Sequence, residues 1–300
     1  MRVVISGATG LIGSALTEHL RTTGHDVVRL VRQSPSGNDV VWDPAAGSLP
    51  DDALAGAHAV VHLSGAGIGD HRWTDRYKRE VRDSRVKSTQ LLADRIAAMK
   101  GSGDGPEVLL SGSAVGYYGN RGDEVLDESS NGGSGFLAEV CREWEAAAEP
   151  TAKAGTRVAR LRTGVVLTPD GGALKKLLPL FKLALGGRFG KGTQWQSWIT
   201  LDDEVGAITH LLGADIEGPV NLTAPEPVTN AEFTSTLADV LGRPAFLPVP
   251  KFAPSLLLGG ELAESLLYDG QRAVPKVLEG SGYVFAHASL EPALRALLSR

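Results

Sequence analysis

Val3-Val4-Ile5-Ser6-Gly7-Ala8-Thr9-Gly10-Leu11-Ile12-Gly13 joins three signals in one short run. An apolar, β-branched segment gives way to glycines at 7, 10 and 13. Leu11-Ile12, Ala15-Leu16 and Leu20 then follow at helical spacing. The pattern predicts a strand, a tight turn and the start of a helix. Unpaired N–H groups and the positive end of the helix dipole make such a start an anion site. In that arrangement Gly7 allows the turn, Gly10 lets the backbone approach a pyrophosphate, and Gly13 lets helix and strand pack closely. Thr9, Leu11 and Ile12 complete the predicted phosphate-binding turn. The reading is a dinucleotide-binding motif; a glycine turn that binds nothing is the plainer alternative.

Composition narrows the class. The chain has 300 residues, enough for one large domain or two closely joined ones, and a net charge of −5. That charge, without any lysine-arginine run, argues against nucleic acid as a partner. Cys141 is the only cysteine, so neither an intrachain disulfide nor a cysteine-based zinc site is available. His25, His58 and His210 show no ligand spacing with acids, and no metal is expected. Neither a leader pattern nor an apolar run of membrane length is visible, so the expectation is a soluble, cytoplasmic protein with no membrane partner.

Beyond the first helix (about 11–22), strands are predicted at 26–32, 40–42, 58–63, 108–111 and 156–161. A long helix capped by Thr74 runs to about Met99, and another spans 135–154. Strands alternating with helices, without hairpin signals, predict an α/β fold: a Rossmann-type, doubly wound parallel sheet. Residues 1–165 form the dinucleotide domain in this reading. Residues 166–300 form a smaller, mostly helical substrate-covering region, whose short strand at 220–222 can return to the main sheet. Helices are expected there at 173–185, 202–212 and 255–267, from a Thr229–Glu232 capping box to Leu241, and at 289–298.

The second strand ends in Arg29-Leu30-Val31-Arg32-Gln33-Ser34, where an acidic residue would hydrogen-bond a ribose 2′-hydroxyl. No acid is present. Arg32 lies about twenty residues past Gly13, the distance at which that contact is made. Its planar fork suits a phosphate dianion, and the Ser34 hydroxyl can assist. The predicted cofactor is therefore NADP(H) in preference to NAD.

Four further segments resemble the extended short-chain dehydrogenase/reductase family. His62-Leu63-Ser64-Gly65-Ala66 is similar to the segment that lies along the cofactor after the fourth strand. Ser111-Gly112-Ser113-Ala114-Val115-Gly116-Tyr117-Tyr118-Gly119 resembles the family's serine-rich turn ending in Val-Tyr-Gly, one residue longer. Arg162 to Leu167 and Asp202-Asp203 resemble its later motifs. Arg72-Trp73-Thr74, Asp83-Ser84-Arg85-Val86, Gln194 to Ile199, and the tail Leu247-Pro248-Val249-Pro250 with Gly270-Gln271-Arg272 narrow the resemblance. They are similar to an epimerase-family branch with a characteristic C-terminal segment, over essentially the whole chain. The resemblance implies the Rossmann fold, a small-molecule substrate, cofactor contacts from His62 to Gly65 and at Ser111, and a homodimer through the helices at 75–99 and 135–154.

The family's catalytic group is Ser with Tyr-x-x-x-Lys, the lysine lowering the pKa of a phenol that otherwise titrates near ~10. Ser113 matches the serine. Where the Tyr-x-x-x-Lys is due, this chain has Gly135-Phe136-Leu137-Ala138-Glu139-Val140-Cys141, with neither residue. Tyr117, Tyr118 and Glu139 are candidate substitutes. Arg85 stands where many members have an asparagine; it can bind an anionic group or form a helix-surface ion pair with Asp83 or Glu80. Arg162 closes a strand beside the active-site edge. Trp73, Trp195 and Trp198 can line a substrate wall or pack a core. Two functions follow. One is an NADP(H)-dependent oxidoreductase or epimerase-like enzyme on a small polar substrate such as a nucleotide sugar, with Ser113, Tyr117, Tyr118 and Arg85 catalytic. The other is a non-catalytic NADP(H)-sensing regulatory module.

Overall fold

A computed structural model describes residues 1–245 and 248–299; Leu247, quoted above, lies outside them. Seven strands form one parallel sheet: β1 (Arg2–Ser6), β2 (Asp26–Val31), β3 (Val40–Val41), β4 (Ala59–His62), β5 (Val108–Ala114), β6 (Arg157–Thr163) and β7 (Gly218–Leu222). Their order is β7-β6-β5-β4-β1-β2-β3. β1 and β4 are β-branched runs buried on both faces, as parallel strands between helical layers must be. The order reverses at β1, which pairs with β2 on one side and β4 on the other. In doubly wound sheets the ligand crevice lies there, beyond the C-terminal strand ends.

On one face α1 (Leu11–Thr22) and the helix Leu201–Gly213 bury Leu16, Leu20, Ile208 and Leu211 against Val3 and Ile5. On the other, α2 (Asp75–Gly101) places Leu92 and Ile96 against Val4 and Leu109. Thr74 caps α2 by accepting from the Tyr77 N–H. The single helix expected over 135–154 is two, α3 (Phe136–Ala146) and a short turn at Glu149–Lys153. Pro150 has no N–H for the Ala146 carbonyl, and its ring crowds that carbonyl.

A third core joins Gly172–Lys182, Asn230–Leu241 and Leu290–Leu298, with Leu174, Phe181, Phe233 and Leu294 at its centre. The Thr229–Glu232 capping box is formed. Trp198 belongs to this core at 1% exposure, with its indole N–H on the Glu226 carbonyl (2.9 Å), so it is no part of a substrate wall. The strand Gly218–Leu222 lies parallel beside β6 in the main sheet. Among the described residues, no helix is long and apolar enough to cross a membrane.

Two glycines fix the first turn. Gly7 has φ +72°, and a Cβ there would lie 2.7 Å from the Leu63 carbonyl. A Cβ on Gly13 would lie 2.2 Å from the Gly7 oxygen, a backbone atom that cannot yield cheaply. Overpacking of this kind costs about 1–3 kcal/mol or more. Gly13→Ala is therefore expected to lower the urea unfolding midpoint clearly; an unchanged midpoint would show that α1 can shift on β1 without cost.

Candidate functional site

A cleft of about 950 Å³ opens beyond the C-terminal ends of β1, β2 and β4. Gly7, Thr9 and Gly10 form its floor, Arg32 one end, and Leu63 to Ala66 a wall. Leu11, Ile12 and Gly13 form the first turn of α1 behind the floor. The first backbone bond of that turn is Ser14 N–H to Gly10 O (2.9 Å), so the N–H groups of Leu11, Ile12 and Gly13 find no acceptor among the described residues. No side chain caps α1, and its first turn holds no acid. An uncapped, acid-free helix start facing a cleft fits a phosphate group.

Arg32 is exposed, lines the cleft, and makes no ion pair or hydrogen bond with the described residues. Arg29, on β2 just before it, is instead committed to Asp39 through two bonds of 2.7 and 2.5 Å. Ser34 is exposed at φ +54° and does not line the cleft. His62 and Ser111 are buried at the strand ends below the wall. The His62 ring bonds Ser6 on β1 and Ser88 on α2. Burial, with Arg85 nearby, pushes its pKa down to about 3, so it is a neutral tie between three elements. The Ser111 hydroxyl has no partner among the described residues.

Beside the cleft a polar chain runs under α3 at the ends of β5, β6 and β7. The Ser113 hydroxyl donates to Glu145 Oε1 (2.7 Å), and Arg162 grips the same carboxylate through Nε (2.8 Å) and Nη2 (2.9 Å). Arg162 Nη1 also donates to the Tyr118 hydroxyl (3.1 Å), which itself donates to Asn221 Oδ1 (2.7 Å). All five residues are buried. Removing one partner of such a buried pair typically costs about 3–5 kcal/mol. Burial pushes the Tyr118 phenol up to about 12, against the pull of Arg162, and its hydroxyl is engaged on both sides.

Two of the expected catalytic side chains, Ser113 and Tyr118, are thus held inside this chain. Arg85 is a third case. It is 8% exposed, and its Nη1 donates to the carbonyls of Ala66 and Val81 (both 2.9 Å) while its guanidinium rests 5.1 Å from the Trp144 ring centre. It forms no surface ion pair with Asp83 or Glu80; instead it fixes the cleft wall at Ala66. Tyr117 differs from these. Its ring lies 3.5 Å from the Arg162 guanidinium, and its hydroxyl bonds no described residue.

Phe136, where the family's tyrosine is due, packs edge-on against Trp73 (4.9 Å) under the Lys78 ammonium (4.6 Å). Glu139 is an exposed helix residue. Cys141 is buried, and burial raises its thiol pKa to about 11. Trp195 stands apart, with Arg272 stacked at 4.1 Å and its N–H on Asp123 (2.8 Å).

Fold and cleft together define a Rossmann-type dinucleotide-binding protein of the extended short-chain dehydrogenase/reductase kind. Residues 3–222 match the NAD dependent epimerase/dehydratase family, and the chain belongs to it. Residues 249–297 match a domain of unknown function, DUF1731. An epimerase family protein of Mycobacterium tuberculosis is 44% identical over 294 residues, covering 97% of this chain and 96% of its own. The crystal structure of the human epimerase family protein SDR39U1 with NADPH superposes at a TM-score of 0.90, with 36% identity, over 100% of this chain and 99% of that one. A structure described as the nucleoside-diphosphate sugar epimerase of Corynebacterium glutamicum gives 0.80 and 39%, over 99% of this chain and 58% of that one.

Sequence reasoning missed Glu204. It is fully buried beneath the end of β6, accepts from Thr163 (2.9 Å), and has a second oxygen without a partner among the described residues. Burial pushes its pKa up to about 8, from an unfolded value near ~4.3. Between those values the folded chain binds more protons than the unfolded one, so stability falls as pH rises through that window and levels off above it. Glu204→Gln removes this slope: its melting temperature should gain on the wild type steadily from pH 5 to pH 8. Parallel melting curves over that range would contradict a protonated Glu204.

Proposed function

We propose that the protein is an NADP(H)-dependent oxidoreductase, epimerase-like in architecture, acting on a small polar carbonyl or alcohol such as a nucleotide sugar. The observation that carries this reading is the unpaired Arg32 at the end of a cleft floored by the uncapped start of α1. In this reading the first turn of α1 and the Gly10 backbone hold the pyrophosphate, and Arg32 takes the 2′-phosphate. Leu63 to Gly65, braced at Ala66 by Arg85, form the wall along the cofactor. When bound, the nicotinamide supplies or accepts the hydride. The NADPH complex of the human relative and the name of the Corynebacterium glutamicum one support the cofactor and the substrate class respectively.

The Tyr117 hydroxyl is the proton-transfer group in this account, because it is the tyrosine of the turn with a hydroxyl still free to meet a substrate oxygen. Ser113 acts through the chain: it helps orient Glu145, which fixes Arg162, on which the Tyr117 ring rests. No lysine follows Tyr117 at the Tyr-x-x-x-Lys spacing to help the phenol take a proton back, which favours a reductase over a reversible epimerase. A second reading keeps one specific observation in its favour. Phe136 and Val140 occupy the Tyr and Lys positions and the Ser113 and Tyr118 hydroxyls are engaged, as in a site that binds NADP(H) to sense it.

The cofactor claim is tested at Arg32. A charge-assisted hydrogen bond is worth ~1.5–3 kcal/mol, about tenfold or more in affinity. Arg32→Glu should weaken NADPH at least ~10-fold by calorimetry while leaving NADH within about twofold. Equal losses for both, or none, would show that another group reads the 2′-phosphate.

A further inference from the structure

The stretch from Gly171 to Leu201 carries five cations, Lys175, Lys176, Lys182, Arg188 and Lys191, and no acid, in a chain whose net charge is −5. All five are exposed, and none makes an ion pair with the described residues. They form no run, because leucines are set among them. Leu180, Leu183 and Leu185 are 46%, 69% and 66% exposed. The helix Gly172–Lys182 turns Leu174, Leu178 and Phe181 into the third core. Lys176, Leu180 and Leu183, spaced i, i+4 and i+7, share its outward face.

The backbone holds these leucines at the surface. Ala184 N–H donates to Phe181 O (2.9 Å) and Leu185 N–H to Leu180 O (2.8 Å), the bond pattern of a Schellman helix end. The left-handed position of that motif, usually glycine, is Ala184 at φ +57°. Gly186 follows, buried so closely that a Cβ there would lie 2.5 Å from the Phe181 ring. The chain thus tucks back against the helix and leaves Lys182 to Leu185 standing out, all exposed. Three consecutive exposed apolar residues, as in Leu183-Ala184-Leu185, mark an interaction site more often than an idle surface. A second exposed apolar cluster, Phe252, Leu256 and Leu257, differs in charge: Lys251 beside it is paired with Glu264 (3.2 Å).

We propose that the turn at 180–188 docks on the surface of an anionic lipid bilayer. Leu180, Leu183 and Leu185 enter the headgroup layer, and the flanking cations meet lipid phosphates. Apolar side chains beside unpaired lysine and arginine are what holds interfacial segments, and each cation adds attraction to an anionic leaflet. A second copy of this face is a poorer partner, since a symmetric contact brings two sets of unpaired cations together. Nucleic acid would use the charge but leave the leucines in water. The expectation of no membrane partner rests on the lack of a membrane-length apolar run, and lying on a surface needs none.

The test is co-sedimentation of the full chain with vesicles of phosphatidylglycerol and phosphatidylcholine, compared with vesicles of phosphatidylcholine alone. Binding should be confined to the anionic vesicles and should weaken as salt is raised. Leu183→Ser/Leu185→Ser and, separately, Lys182→Glu/Arg188→Glu should each lower partitioning at least ~10-fold with an unchanged melting temperature. Hydrogen–deuterium exchange of the wild type across 180–188 should slow when the anionic vesicles are added, an arm that needs no variant. No binding to the anionic vesicles, equal binding to both kinds, or exchange that does not slow would each overturn the proposal. Variants that partition like the wild type would overturn it too, since another surface would then be making the contact. NADPH enters none of these arms, so the docking surface and the cofactor reading stand or fall separately.

Discussion

The close approach of Gly13 to the Gly7 carbonyl determines where α1 begins relative to β1, and through it what the cleft can hold. With a Cβ at position 13, only 2.2 Å from that oxygen, the helix would have to move off the strand. In the present arrangement its first turn stands at the point where the strand order reverses, with N–H groups free to meet an anion. The arrangement is reinforced from below. His62 is kept neutral by burial and ties β4 to Ser6 on β1 and Ser88 on α2. The geometry of this helix start is therefore a property of the whole α/β core, not of a loop added to it.

The chemistry beside the cleft is governed by the buried Arg162–Glu145 pair. A buried ion pair is weak evidence for stability, because desolvation offsets much of the attraction. Its effect here is positional. The pair takes up the Ser113 hydroxyl, engages Tyr118, and presents a flat cation on which Tyr117 lies. Proton chemistry in the usual place on α3 is closed, since Phe136 has no hydroxyl. The same charge pair thus withdraws two groups of the serine-rich turn and leaves one tyrosine hydroxyl available.

Much of the dinucleotide half was legible from the chain alone. The glycine spacing, the β-branched run of β1 and the Thr74 cap, and in the C-terminal half the Thr229–Glu232 capping box, are local signals with local causes, and the structure contains each. The place of Arg32 at the cleft was legible because a strand end has a fixed relation to the turn. Arg85 was not, since its partners are backbone carbonyls that any sequence supplies. The partnership of Ser113 with Glu145 joins residues 32 positions apart on different elements, and no periodicity reports it. Glu204 looked like one more acid in a helix's first turn; only the packed fold shows that its carboxyl is sealed from water. Pro150 is a helix-breaking residue inside the segment 135–154, where the structure ends one helix and starts a short turn.

Deuterium transfer from labelled cofactor tests most directly whether this site performs hydride chemistry. The protein would be incubated with NADPH deuterated on either C4 face together with a metabolite extract, and small molecules would be searched for label by mass spectrometry. The account predicts label from one face, appearing in a polar carbonyl-derived product. Tight NADPH binding with no label transferred from either face would contradict it and leave a cofactor sensor.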